Sequence, residues 1–179
     1  MLRLFTAIEI PPDIRQSLTM LRGGLPGARW IEPESYHLTL RFIGEVDGAM
    51  AREIDALLLQ VRRMPFELTL DGVEAFGGRK PRAVYAGVKP SVPLVELQAE
   101  QEQLFKRLGF EAERKFTPHV TLARLRQSSS QDVADYLAPR GDFRAGPFAV
   151  TRFVLLSSRE SVGGGPYVEE AVYPLSDTT

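Results

Sequence analysis

The chain reads as an α+β protein of two pseudo-symmetric lobes, mainly antiparallel sheet with outer helices, and a central cleft between two related strands. Three features lead to this fold. Strand-like and helix-like segments alternate along 179 residues, yet several strands follow one another without a helix between them. A short word occurs twice, as His37-Leu-Thr-Leu and His119-Val-Thr-Leu, at an offset of 82 in numbering. Further landmarks recur at nearly the same interval: Pro65-Phe66 and Pro147-Phe148 repeat it, and Phe5 and Tyr85 are offset by 80. Aligned landmarks at near-constant spacing indicate duplication. One domain over 1–179 is expected, made of halves of about 1–80 and 81–179.

The elements follow in order from period and punctuation. The alternating, β-rich run LRLFTAIEI is a strand. Pro11-Pro12-Asp13 starts a helix to about Arg22, stopped by Gly23-Gly24. Residues 35–43 form the first motif strand. Asp47 caps a helix over 48–63 whose apolar stripe is Met50, Ile54, Leu57, Leu58 and Val61. Residues 66–75 and 82–89 read as strands. Ser91 caps a helix over 92–108, with Leu94, Leu97, Leu104 and Leu108 facing inward, and Gly109 ends it. Residues 118–125 are the second motif strand, and a short helix follows at 130–138. Strands at 147–157 and 167–174 close the chain, separated by a flexible Ser161-Val-Gly-Gly-Gly.

Composition narrows the function. Hydrophobic residues make up 44% and charged residues 25%, values of an ordinary globular chain. A net charge of −1 excludes a whole-chain field that attracts nucleic acid. Any such affinity must be local, and Lys106, Arg107, Arg114, Lys115, Arg124 and Arg126 crowd around the second motif. The absence of cysteine removes thiol catalysis, thiolate metal sites and disulfides. The N-terminus reaches Pro11 too soon for a signal-peptide core, and no apolar run has membrane-spanning length. A cytoplasmic monomer is expected, without membrane attachment.

His37 and His119 are the only histidines, and both stand in the repeated word. On a strand, residues i and i+2 share a face. His37 projects with Thr39, and His119 with Thr121, while Leu38, Leu40, Val120 and Leu122 anchor the other side. A two-fold arrangement brings the motif strands side by side. Two imidazoles across a cleft suit in-line displacement at phosphorus: a neutral ring accepts a proton from water and a protonated ring donates one to the leaving oxygen. The threonine hydroxyls would bind the non-bridging oxygens. No metal is expected, because a catalytic zinc usually has three protein ligands and none of Glu34, Glu45 and Asp47 sits at a recognised spacing. No serine lies in a Gly-x-Ser-x-Gly turn.

Arg3-Leu-Phe-Thr-Ala-Ile-Glu-Ile, His37-Leu-Thr-Leu-Arg-Phe-Ile-Gly and Phe116-Thr-Pro-His-Val-Thr-Leu-Ala-Arg resemble the 2H phosphoesterase superfamily, in particular its RNA 2′,3′-cyclic phosphodiesterases, also called 2′-5′ RNA ligases. The resemblance spans roughly residues 2–174. It implies hydrolysis of a terminal 2′,3′-cyclic phosphate on RNA, such as a tRNA fragment, to a 2′-phosphate, and reversal by 2′-5′ ligation. It implies His37 as proton donor, His119 as proton acceptor, Thr39 and Thr121 as phosphate ligands, and no cofactor. A small cyclic nucleotide or an ADP-ribose cyclic phosphate is the alternative substrate, and a non-catalytic RNA-end binder the alternative of another class. Arg124, five residues after His119, is expected on the motif face if the strand runs that far, and Arg41, four residues after His37, is expected there by strand parity. Phe5 and Tyr85, at repeat-equivalent positions, are candidates to stack on RNA bases, with core packing as the other reading. Phe42 and Trp30 are expected in the core.

Overall fold

Proline starts, polar caps and glycine stops set the helices close to where the sequence puts them. Pro12 opens α1 (Pro12–Thr19), where its missing N–H leaves no helix bond unmade. The helix ends before Arg22, and Leu21 and Arg22 continue as turns into Gly23 and Gly24 at φ 95° and 76°. Asp47 Oδ1 accepts from Met50 N–H at 2.8 Å and caps α2 (Gly48–Leu58). That helix stops short of Arg63: Gln60 and Val61 turn back onto Leu57 and Leu58, and Pro65 disfavours helical backbone before it. Ser91 caps α3 (Val92–Arg107), and Gly109 follows at φ 88°. A reciprocal Ser129–Asp132 capping box opens α4 (Ser130–Leu137).

The computed structural model describes residues 1–113, 115–158 and 166–176; Arg114 and the glycine-rich 161–165 lie outside them. The strands are β1 (Leu2–Glu9), β2 (Ala28–Trp30), β3 (His37–Val46), β4 (Phe66–Phe76), β5 (Ala83–Val88), β6 (His119–Leu125), β7 (Arg144–Val150), β8 (Arg152–Ser158) and β9 (Tyr167–Pro174). They form one antiparallel sheet in the order β7-β4-β5-β6-β3-β1-β8-β9, with β2 on β6. The expected α+β fold, antiparallel sheet, outer helices and central cleft are all present. The three-residue β2 was not foreseen, being too short to show a period. Nor was the short 3-10 turn at Pro33–Ser35.

The expected single strand over 147–157 is two strands, broken at Thr151. β7 pairs with β4, whereas β8 crosses to pair with β1. β2 and β4 come from the first half of the sequence yet pair in the β5-β6-β7 lobe, and β8 and β9 come from the second half yet lie on the β1 side, so each lobe of the sheet takes two strands from the other half of the chain. Local alternation reads the same in either arrangement; only the long-range partner differs.

The lobes meet at a single pair, Leu38 opposite Val120. Each is the middle residue of its His-x-Thr word, and both are fully buried. They join Leu4, Ile8, Leu40 and Leu122 in the core beneath the helices. On the opposite face Phe5, Ala7 and Val154 form a small separate cluster. Being central and covered on both sides, β1 is buried continuously from Leu4 to Ile8 rather than at alternate residues. Among the described residues no helix is long and apolar enough to cross a membrane.

Both motif strands carry the same irregularity. Against β1, β3 pairs Thr6 with Arg41 but Ala7 with Thr39, so Leu40 is an extra residue. Against β5, β6 pairs Val84 with Ala123 but Tyr85 with Thr121, so Leu122 is extra. Leu40 and Leu122 stand at the same interval as the two histidines. After each bulge the side chains change faces.

Candidate active site

His37 and Thr39 on β3, and His119 and Thr121 on β6, line one cavity of about 380 Å³ at the junction of the lobes. All four side chains are partly exposed. Antiparallel register through Leu38 and Val120 runs His37 toward Thr121 and Thr39 toward His119.

The two rings are held alike. His37 Nδ1 lies 2.9 Å from the Ser35 carbonyl, and His119 Nδ1 lies 2.6 Å from the Thr117 carbonyl. A carbonyl only accepts, so each Nδ1 carries the proton and each Nε2 is left for chemistry. The neutral His37 Nε2 accepts from Thr39 Oγ1 at 2.9 Å. Ser35 and Thr117 precede their histidines by the same two positions, so the tautomer is set by a repeated device.

Aromatic rings wedge both imidazoles. Phe5 and Tyr167 each lie 5.1 Å from His37, centroid to centroid. Phe76 and Tyr85 lie 4.9 and 5.3 Å from His119, edge on. This packing removes water from the rings. Burial, with the His119 and Arg124 charges adding to it, pulls the His37 pKa from the ordinary 6.5 down to about 4, against the Ser35 carbonyl. Burial also lowers His119, to which Arg124 adds and which the Thr117 carbonyl opposes.

Three corrections concern the flanking residues. Arg41 does not reach the cavity. It is 5% exposed, with its Nε 2.8 Å from Glu102 Oε1, and it donates to the Glu111 and Phe42 carbonyls. The Nε–Glu102 contact is ionic rather than an aligned hydrogen bond. The Leu40 bulge turned it away and brought Phe42 to the cavity in its place. Arg124 does line the cavity, but regular alternation over an odd interval of five would have hidden it; the Leu122 bulge brings it round. Phe5 and Tyr85 are 1% and 6% exposed and offer no open ring face; they support the histidines instead. Tyr85 also donates to Glu74 Oε2 at 2.9 Å.

Phe42, expected in the core, is 47% exposed and stacks on Phe5 at 5.7 Å and 7°. Trp30 packs on Tyr136 as expected. Sequence reasoning missed Arg3, Phe76, Arg82, Glu113 and Tyr167 at the cavity. Only the repeat interval, which relates Phe42 to Arg124, could have pointed to Phe42. Of the basic group around the second motif, Arg124 alone lines the cavity among the described residues. A neighbouring hollow of about 430 Å³ touches His37 but not His119. Glu9, Glu34 and Glu169 outnumber Arg15 and Arg152 there, and Arg152 is tied to Glu9 at 2.8 Å, so it suits phosphate poorly. No group of three or more metal-ligating side chains occurs among the described residues.

An α+β fold whose two abutting strands each present His-x-Thr to a common cavity defines the two-histidine class of phosphoesterases. Within it, this chain belongs to the 2′-5′ RNA ligase superfamily, whose family model matches residues 10–161. The chain is 31% identical over 176 residues to an Archaeoglobus fulgidus protein named RNA 2′,3′-cyclic phosphodiesterase, covering 96% of this chain and 99% of that one. It is 33% identical over 170 residues to an Escherichia coli protein of the same name, covering 92% of each. The crystal structure of E. coli LigT complexed with 3′-AMP superposes with a TM-score of 0.78 at 29% identity, covering 98% of this chain and 99% of that one.

Proposed function

We propose that this chain hydrolyses a terminal 2′,3′-cyclic phosphate on RNA to a 2′-phosphate without a metal ion. The observation that carries the reading is the pair of imidazoles, one from each lobe, with Nδ1 tied to backbone and Nε2 turned to one cavity. Water attacks phosphorus and gives its proton to His119 Nε2. The P–O3′ bond breaks, and His37 Nε2 delivers a proton to the departing 3′ oxygen. Thr39, Thr121 and Arg124 bind the non-bridging oxygens as charge gathers on them. An RNA 5′-hydroxyl in place of water would give a 2′-5′ bond by the same proton transfers. The open face of Phe42 takes the base of the terminal nucleotide. The protein works as a cytoplasmic monomer.

The order of donor and acceptor rests on the family resemblance. Before substrate arrives, burial holds the proton away from His37 more strongly than from His119. An anionic phosphate between the rings acts in the opposite sense and raises both. A chromogenic aryl phosphodiester, whose leaving group departs unprotonated, separates the roles. Replacing the donor by Ala should spare its hydrolysis, whereas replacing the acceptor should abolish it.

The activity itself is tested with RNA oligonucleotides and mononucleotides carrying 2′,3′-cyclic phosphate. A 2′-phosphate product, formed equally well in EDTA and faster from RNA, is expected. Zinc-restored activity after complete EDTA inhibition would overturn the mechanism, and binding without turnover would leave only an RNA-end binder.

A further inference from the structure

Arg82 and Arg124 give the cavity a positive balance, as a phosphate site requires, while Arg3 at its rim is tied to Glu45 at 3.3 Å. One carboxylate, Glu113, also lines it. Its two oxygens are used differently. Oε1 accepts from Phe42 N–H at 3.0 Å and lies 3.5 Å from Arg41 Nη1. Oε2 has no partner among the described residues. A bare carboxylate oxygen here repels phosphate, so it weakens the binding that the arginines promote. It becomes favourable only if the ligand brings a donor to it.

Its neighbour indicates which part of the ligand would do so. Phe42 is backed by Phe5 and is 47% exposed, and the bond from its main-chain N–H holds the Glu113 carboxylate at the same strand position, both residues lining the cavity. We propose that Glu113 selects the base of the terminal nucleotide: its free oxygen accepts from the exocyclic amino group of a base stacked on Phe42. This rests on the cyclic-phosphate reading above and adds base discrimination to it. Cytosine and uracil stack alike but differ at position 4, an amino donor in one and a carbonyl acceptor in the other. Cytosine gives Glu113 a hydrogen bond; uracil sets two acceptors face to face.

The test compares kcat/KM for short RNAs ending in cytidine or uridine 2′,3′-cyclic phosphate, in the native protein and in Glu113→Gln. The native protein should prefer cytidine about tenfold or more, the usual discrimination of one good base contact. Glu113→Gln should bring the ratio near one, because an amide can face either partner. A general effect of the lost charge on phosphate binding or folding scales both rates and cancels in the ratio. Equal native rates, or a ratio unchanged in Glu113→Gln, overturn the proposal. Ribose 2′,3′-cyclic phosphate, which has no base, is the control. If the native protein turns over this control but shows no base preference, base selection alone fails. If it turns over none of the three, the functional reading fails with it.

Discussion

Each imidazole works through one nitrogen because a backbone carbonyl holds the other, so a proton can be taken or given only at the cavity side. His37→Ala or His119→Ala should lower turnover of a cyclic-phosphate RNA by about a hundredfold to ten-thousandfold in single-turnover assays, the range of general acid–base catalysis. Catalysis needs one ring protonated and one neutral. That form dominates between the two titrations, one at about 4 and one below the ordinary 6.5. Below that window no base remains, and above it no acid. kcat/KM should therefore peak on the acid side of neutrality, whichever ring holds the proton, because the pair titrates as a unit. Phe42→Ala should raise KM for a nucleotide substrate about tenfold with little change in kcat, as expected for one lost stack.

Among the elements, the bulges decide which side chains the motif strands present. Regular alternation carries His-x-Thr correctly, since the irregularity falls just beyond the threonine. Past it, alternation misleads. Arg41 goes under the strand, and Phe42 and Arg124 come to the cavity. The hidden Arg41 ties β3 to α3 through Glu102 and to the segment before the second motif through the Glu111 carbonyl. Arg41→Met should cost about 3 kcal/mol in urea denaturation, because the half-buried Glu102 would be left without its cation. A bulge leaves little local trace in sequence. Its sign here, two buried residues in succession at Leu40-Arg41 and Leu122-Ala123, depends on burial that only the folded sheet supplies.

Across the entire protein, the crossed strands bind the halves together. β4 needs β5 and β7, and β1 needs β8, across the division near residue 80. A fragment of residues 1–80 should be unfolded alone by circular dichroism, and mixing it with the complementary fragment should restore structure and activity. The histidines also link stability to pH. Burial holds both below their unfolded pKa, so the folded chain binds fewer protons as the medium is acidified. Stability from this source is complete above about pH 6.5 and is lost as pH falls toward about 4. The slope of Tm against pH across that window should flatten in His37→Gln.

The helices, most strands, the repeated word and its four polar side chains were legible in the amino-acid order alone, because caps, periods and repeats are local properties of a chain. Which strand joined which lobe, which arginine reached the cavity and which aromatic stayed open were settled on folding. Those outcomes depend on hydrogen-bond partners far away in sequence, and two strands of the same period can serve either edge until the sheet closes.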